Sequence, residues 1–139
     1  MKPRRQRPRV VVVTGGTRGL GRVIARVFAS RGDRIWCLSR QGAPTGLPAG
    51  CTALRADVRR REELAAAVKI IRRRDGRIDV WINNAGGGEA VPFRDETAGC
   101  WAEIFEVNFN GTVLGCRAAL SALRRPGNRA CPAGPARWR

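Results

Sequence analysis

The segment Thr14-Gly15-Gly16-Thr17-Arg18-Gly19-Leu20-Gly21 is rich in glycine at the spacing of a phosphate-binding turn. The four valines from Val10 to Val13 precede it and predict a buried parallel strand, and apolar residues at helical spacing follow it. At such a strand-to-helix turn, unpaired backbone N–H groups and the positive end of the helix dipole stabilise a diphosphate. Glycines also form ordinary turns, but the flanking strand and helix favour the phosphate-binding interpretation here.

Arg40 stands where a dinucleotide would place its adenosine ribose, and Arg18 lies inside the glycine turn. Ile35 to Leu38 predicts the second strand, and Ser39 and Arg40 follow it, about 20 residues after the glycine turn. A carboxylate there would accept hydrogen bonds from a free 2′-hydroxyl, whereas Arg40 and Arg18 would attract a 2′-phosphate. The sequence therefore favours NADP over NAD, with solvated arginines of an arginine-rich chain as the alternative.

Strands and helices alternate along the middle of the chain. Cys51 to Ala56 and Ile78 to Ile82 predict two more strands, with a helix from Arg59 to Arg74 between them and a loop at residues 41–50. This order predicts an α/β fold, a Rossmann-like doubly wound parallel sheet of about four strands. The predicted buried stripes are Leu20, Val23, Ile24, Val27 and Phe28 in the first helix, and Leu64, Ala67, Val68 and Ile71 in the second.

The polar residues of interest are expected at one edge of this sheet. Ligands of parallel α/β sheets bind beyond the carboxyl ends of the strands. The glycine turn, Arg40, Asp57 and the loop that starts at Asn83 all follow predicted strands directly. We therefore expect them to line a common site.

A long helix is predicted from Thr97 to Leu123, and it carries an asparagine on its apolar face. The predicted stripe is Trp101, Ile104, Phe105, Thr112, Gly115, Cys116, Ala119, Leu120 and Leu123. Asn108 lies in the middle of this stripe, where an amide without partners would cost the fold a few kcal/mol. Asn108 is thus either a satisfied structural amide or a polar group positioned at a site.

Composition excludes several classes of protein. The 139 residues suffice for one domain, and the longest strongly apolar run is far too short to span a membrane. The basic start lacks the apolar core of a signal peptide, so the cytoplasm is the default location. Five cysteines without a paired spacing, and no histidine, favour reduced, mostly buried thiols and no metal site.

The formal net charge of +16 raises the question of nucleic-acid binding. The charge is concentrated at the ends, since residues 1–9 and residues 124–139 each hold five basic side chains and no acid. The middle of the chain is only modestly basic. We therefore predict no specific nucleic-acid partner, although nonspecific binding at low salt is expected.

With these residues in view, the chain resembles the short-chain dehydrogenase/reductase family from residue 10 to about residue 123. The matching motifs are the glycine segment above, Asp57-Val58, Asn83-Asn84-Ala85-Gly86 and Val107-Asn108-x-x-Gly111, in the family's order and spacing. The resemblance implies that Gly15, Gly19 and Gly21 bind the cofactor diphosphate, that Asp57 contacts the adenine and that Asn108 is a catalytic residue holding a water in a proton relay. The candidate cofactor-binding residues are Gly15, Thr17, Arg18, Gly19, Leu20, Gly21, Ser39, Arg40, Asp57, Val58, Asn84, Ala85 and Gly86.

The chain also departs from the family pattern. Members of the family use a serine on the fifth strand and a Tyr-x-x-x-Lys pair, but this sequence has no tyrosine, and its only lysines are Lys2 and Lys69. The proline, glycine and arginine content of residues 125–139 predicts a disordered tail instead of a central strand. We therefore expect a basic arm at residues 1–9, the N-terminal half of the family's fold at residues 10–124, and the tail.

Three functions follow as hypotheses. The first is an NADP-dependent oxidoreductase acting on a small-molecule carbonyl or alcohol, represented by a catalytically incomplete chain whose full-length relatives are homo-oligomers. The second is a nonenzymatic NADP-binding module. The third, which the charge distribution favours least, is a basic nucleic-acid-binding protein.

Overall fold

The computed structural model describes residues 7–42, 46–88 and 91–123 of the chain. The elements are β1 Val10–Thr14, α1 Gly19–Ser30, β2 Arg34–Ser39, β3 Cys51–Arg55, α2 Arg61–Asp75, β4 Val80–Ile82, a 3₁₀ turn Phe93–Asp95, α3 Ala98–Phe105, a π-helical turn Glu106–Asn110 and α4 Gly111–Leu123. The predicted tail, the first six residues of the predicted arm and Cys131 lie outside the described residues.

The four strands form one parallel sheet in the order β3-β2-β1-β4. All five residues of β1 are buried, because β1 is paired on both sides and covered on both faces. The strand order reverses at β1, since the chain passes to β2 and β3 on one side and returns to β4 on the other. The predicted α/β, Rossmann-like sheet is confirmed.

Helices cover both faces of the sheet. On one face, α1 packs through Ile24, Ala25 and Phe28 against β1 and β2. On the other face, α2 and α4 pack against the alternate residues of the same strands. The predicted stripe of α2 is confirmed, because its buried residues are Leu64, Ala67, Val68 and Ile71.

Strand β4 is shorter than predicted and begins at Val80 instead of Ile78. The Asp79 carboxylate accepts the N–H of Val10 at 2.8 Å, while the Asp79 N–H donates to the Val10 carbonyl. The Asp79 side chain therefore takes the place of a backbone carbonyl as the acceptor for Val10. Regular pairing between β1 and β4 starts one residue later, at Val11 and Val80.

The stripe predicted for α1 is only partly correct. Gly21 and Ala25 are its buried residues. The predicted members left exposed are Leu20, Val23 and Val27. A Cβ on Gly21 would lie 2.2 Å from the Gly15 carbonyl oxygen, so α1 packs against the glycine turn at a residue that has no side chain. This close approach turns the branched side chains outward.

The single helix predicted from Thr97 to Leu123 is divided by the π-helical turn. Thr97 caps α3, since its Oγ1 accepts the N–H of Cys100. The buried residues of α4 are small ones, namely Gly111, Gly115, Ala119 and Ala122. The members of the predicted stripe that are exposed are Trp101, Phe105, Thr112, Cys116, Leu120 and Leu123. A π-helical turn adds a residue to the helix and rotates the face that follows it, which accounts for the exposed members of the stripe in α4. Trp101 and Phe105 lie before the turn, in α3, which has no buried residue.

Ion pairs hold the opposite, amino edge of the sheet. The Arg9 guanidinium and backbone N–H both donate to the Asp33 carboxylate, at distances of 2.6 to 3.1 Å, and the guanidinium lies over the Phe28 ring. Arg77 bridges Asp79 and the Pro8 carbonyl. Arg9 was predicted to lie in a solvated arm, but it is bound to the sheet because a buried carboxylate stands opposite it.

Among the described residues, no helix is both long enough and apolar enough to cross a bilayer. The described cysteines are free thiols, and no described group of side chains could hold a metal ion. Of these four, only Cys37 is fully buried, so the prediction of mostly buried thiols is wrong. Burial raises the pKa of the Cys37 thiol to about 12.

We expect the substitution Asp33→Asn to lower the free energy of unfolding by about 1 kcal/mol at pH 7. The hydrogen bonds from Arg9 hold the pKa of Asp33 below its usual range. A lowered carboxyl pKa stabilises the fold above the unfolded-state pKa, and this contribution is lost as the pH falls through the folded-state value. The difference between wild type and variant in urea denaturation should therefore shrink as the pH falls below about 4, the ordinary pKa of an aspartate.

The control is Asp95→Asn, because Asp95 and its partner Arg94 are both exposed and 3.9 Å apart. This variant should match the wild type at every pH. Equal stability of the Asp33 variant and the wild type at pH 7 would show that the Arg9 interaction adds nothing to the fold.

Candidate functional site

A cleft of about 600 Å³ opens at the carboxyl edge of the sheet, beside the strand β1 at which the strand order reverses. Such reversal points are where parallel α/β sheets bind their ligands. The cleft is lined by Gly15, Thr17, Arg18, Gly19, Leu20, Gly21, Leu38, Ser39, Arg40, Gln41, Ala56, Asp57, Val58, Asn84, Ala85, Gly86 and Val107. The structure therefore brings all the candidate cofactor-binding residues to one cavity.

Three glycines shape the turn between β1 and α1, each for a different reason. Gly15 has φ of +65° and lies so close to Ala85 that a Cβ would be 2.9 Å from the Ala85 Cα atom. Gly21 leaves no room for a Cβ between α1 and the turn. Gly19 has φ of +50° and faces open space at the start of α1. Gly15 and Gly21 allow the backbone to pack closely, and Gly19 leaves the backbone N–H groups around it accessible.

The start of α1 is free to bind an anion. Arg18 occupies the N-cap position, and its side chain makes no capping hydrogen bond. The first N–H groups of a helix have no intrahelical acceptor and carry the positive end of the helix dipole. The backbone from Gly19 to Gly21 therefore presents unpaired donors to the cleft.

The Thr14 hydroxyl holds the glycine turn against the end of β4. Thr14 Oγ1 accepts the N–H groups of Asn84 and Ala85, both at 3.0 Å, and donates to the Ile82 carbonyl at 3.4 Å. In return, Asn84 Nδ2 donates to the carbonyls of Thr14 and Gly15, at 3.0 and 3.4 Å. These bonds join two walls of the cleft that are about seventy residues apart in sequence.

The arginines expected at the ribose end of the cleft are exposed and unpaired. Among the residues that the structure describes, no carboxylate lies within ion-pair distance of Arg18 or Arg40. Ser39 ends strand β2, and its hydroxyl donates to the Gly42 carbonyl at 3.2 Å. Arg18 at the glycine turn and Arg40 after β2 therefore both line the cleft without an ion-pair partner in the described part of the chain.

Asp57 is held rigidly at the end of β3. Its side chain accepts bonds from Arg59, the shortest at 2.6 Å, and its N–H donates to Glu63 Oε2 at 2.8 Å. The hydrogen bonds from Arg59 hold the pKa of the Asp57 carboxyl below its usual range, so Asp57 is ionised at neutral pH. Val58 packs against α4, where a Cβ on Gly111 would lie 2.7 Å from Val58 Cγ2.

Asn108, the predicted catalytic residue, lies in the π-helical turn and not in a regular helix face. Its Nδ2 donates to the carbonyls of Gly87 and Ile104, at 2.6 and 2.8 Å, and its Oδ1 accepts the Gly87 N–H at 3.3 Å. The amide is exposed and satisfied, and it does not line the cleft, although its neighbour Val107 does. Asn108 thus fixes the loop after β4 next to the cleft.

Several residues of the site were missed by the sequence analysis. The lining residues not predicted are Leu38, Gln41, Ala56 and Val107. Each is next in sequence to a predicted residue, so neighbouring positions could have been included. Thr14 was quoted as part of the glycine motif, but its joining role depends on a contact with Asn84 that the sequence does not show.

We expect Thr14→Val to lower the free energy of unfolding by about 2 kcal/mol, because two backbone N–H groups lose their acceptor. Thr14→Ser is the matched control, since it keeps the hydroxyl and loses only a buried methyl group. In urea denaturation, Thr14→Val should have a lower free energy of unfolding than Thr14→Ser, although valine resembles threonine more closely in shape. The opposite ranking would show that packing, and not the hydroxyl, holds the turn.

The chain is similar to known dehydrogenases in sequence. The family described as short chain dehydrogenase matches residues 9–129. A short-chain dehydrogenase/reductase of Penicillium rubens is 34% identical over 127 residues, which cover 86% of this chain and 37% of that protein. An L-fucose dehydrogenase of Oryctolagus cuniculus is 36% identical over 122 residues, which cover 84% of this chain and 43% of that protein.

Solved structures give the same result. The ligand-free aldohexose dehydrogenase of Thermoplasma acidophilum superposes with a TM-score of 0.75 at 30% identity, covering 84% of this chain and 45% of that one. A short chain dehydrogenase of Leptospira borgpetersenii with bound NAD+ has a TM-score of 0.73 at 26% identity, covering 83% and 46%. The chain spans less than half the length of these relatives. Its sequence, sheet and cleft show that it belongs to the short-chain dehydrogenase/reductase family.

Proposed function

We propose that the cleft binds NADP(H), with the diphosphate at the glycine turn and the adenosine 2′-phosphate between Arg18 and Arg40. The observation that carries this proposal is that Arg18 and Arg40 both line a glycine-lined cleft and have no ion-pair partner among the described residues. The residues present fit such a dinucleotide, because open space and unpaired donors occur at Gly19, where a diphosphate needs them.

The choice of NADP over NAD depends on charge. NAD-binding sites of this fold place a carboxylate where it can accept hydrogen bonds from the ribose 2′-hydroxyl. At that position this chain has Ser39 and Arg40, and the Ser39 hydroxyl already donates to a loop carbonyl. The one carboxylate that lines the cleft, Asp57, is engaged by Arg59. A relative of known structure binds NAD+, so the preference needs a direct test.

We expect Arg40→Ala to weaken NADPH binding about tenfold, because a charge-assisted contact to phosphate is lost. Binding of NADH, which has no 2′-phosphate, should change by less than about threefold. Arg26→Ala is the matched control, because Arg26 is exposed on α1 and does not line the cleft. The measurement is isothermal titration of NADPH and of NADH into the wild-type chain and each of the two variants. Equal losses for NADPH and NADH in the Arg40 variant would contradict the 2′-phosphate assignment.

The reaction that the family relationship supports is oxidoreduction of a small-molecule alcohol or carbonyl. The bound cofactor would supply or accept the hydride. Within this chain, the glycine turn and Asp57 would orient the adenosine and diphosphate, and Asn108 would hold the loop at Gly87 beside the cleft. We also propose, from the family, that the complete protein is a homo-oligomer.

The same chain supports a second function, an NADP-binding module without turnover. It contains no tyrosine to donate a proton to a substrate oxygen, and of its two lysines Lys2 lies outside the described residues. Lys69 is on α2 and does not line the cleft. We favour this second function for the 139-residue chain alone and the first for the family to which it belongs.

Purified chain should therefore oxidise NADPH at least about 10²-fold more slowly than a relative with the tyrosine and lysine pair, because general acid catalysis is absent. The measurement is the loss of absorbance at the nicotinamide band with a panel of aldehydes and ketones. Rates in the ordinary enzyme range of roughly 1 to 10³ per second would refute the prediction.

A further inference from the structure

Asp57 and Arg40 stand close together in the cleft, yet they do not pair. Strands β2 and β3 are in register at Ser39 and Arg55, and the Ala56 N–H donates to the Ser39 carbonyl at 2.9 Å. Arg40 and Asp57 therefore leave adjacent strand ends, and both line the cleft. The positive charge of Arg40 is also among the influences that lower the pKa of Asp57.

Arg59 instead engages the whole Asp57 carboxylate. Arg59 Nε lies 3.0 Å from each carboxylate oxygen, and Arg59 Nη2 lies 2.6 Å from Oδ2. The backbone N–H of Arg59 adds a fourth hydrogen bond, to Oδ1 at 3.0 Å. A guanidinium that meets both oxygens of a carboxylate forms the strongest kind of side-chain ion pair.

The Arg59 side chain is only 30% exposed, and Arg59 does not line the cleft. Its Nη1 lies 4.0 Å from Glu103 on α3, and its neighbour Val58 is packed against Gly111 of α4. Arg59 is also only two residues from Asp57 in sequence, so little conformational entropy is lost in forming the pair. Arg40, by contrast, is exposed and has no ion pair within the described part of the chain.

We propose that Arg59 is a positioning residue for cofactor specificity, which holds the Asp57 carboxylate and so leaves the Arg40 guanidinium for the 2′-phosphate of the dinucleotide. This inference rests on the proposed binding of NADP(H). Without Arg59, the nearest cation to Asp57 at the mouth of the cleft is Arg40. The carboxylate would pair with Arg40, neutralise it and oppose a phosphate at the same place.

The test compares the ratio of the NADH and NADPH dissociation constants in four forms of the full chain. Arg59→Ala should lower the NADPH preference about fivefold or more, because Asp57 then competes with the phosphate for Arg40. The double variant Arg59→Ala with Asp57→Asn should restore the preference to within about twofold of wild type, because the competing charge is gone. Arg61→Ala, at the exposed start of α2, should leave the ratio unchanged.

The ratio of the NADH and NADPH dissociation constants distinguishes a role of Arg59 in cofactor specificity from a role in stability alone. A contribution of Asp57 to adenine binding affects both dinucleotides equally and cancels in the ratio. If Arg59→Ala weakens NADH and NADPH equally, or if the double variant fails to recover the preference, the inference is wrong while the proposed function stands. If the wild-type chain binds the two dinucleotides equally, the proposed function itself fails, and the inference fails with it.

Discussion

The carboxyl edge of the sheet depends on one buried hydroxyl. Thr14 ends the central strand, and its Oγ1 accepts two successive backbone N–H groups from the loop after β4. Asn84 returns two bonds to the backbone of the glycine turn. Because β1 and β4 are neighbours only through a crossover of more than sixty residues, these bonds set the width of the cleft. The N–H groups of the glycine turn remain open to a ligand only while the glycine turn and the loop after β4 stay at this separation.

The two edges of the sheet differ in how their acidic side chains are paired. At the amino edge, Asp33 and Asp79 form ion pairs with Arg9 and Arg77, and these pairs hold the start of β1 in place. At the carboxyl edge, the carboxylate of Asp57 is the single one among the described residues that line the cleft, and Arg59 engages it. Arg18 and Arg40 line the same cleft without an ion pair in the described part of the chain. A net charge of +16 does not show where positive charge is left unpaired, whereas the pairing of the described acids does.

Much of the fold follows from local patterns in the sequence. The valine run, the α2 stripe and the strand-to-helix glycine turn are short-range features, and buried parallel strands and amphipathic helices have clear periodicities. The failures have two physical causes. One is close packing through small residues, because Gly21 lies against the glycine turn and Gly115 against Asn83, and apolar side chains of these helices that were predicted to be buried are exposed. The other is local structure that no sequence pattern encodes, namely the Asp79 carboxylate at the start of β4 and the π-helical turn, whose Asn108 bonds to Gly87 over 21 residues. The candidate residues could be placed at one edge of the sheet from the sequence because they directly follow strands, but the pairing of Asp57 with Arg59 could be seen only in the structure.

We propose that the glycine turn and the ends of β2, β3 and β4 beside it bind a phosphorylated dinucleotide. An NMR titration of the isotopically labelled chain with NADP+, following the backbone amide resonances, tests this directly. We expect shifts confined to residues 15–21, 39–41, 56–58 and 84–86, with the largest at Gly19 and Leu20. Shifts spread over the arginines of α2, or no shifts in a chain whose spectrum shows it to be folded, would mean that the dinucleotide does not bind in this cleft.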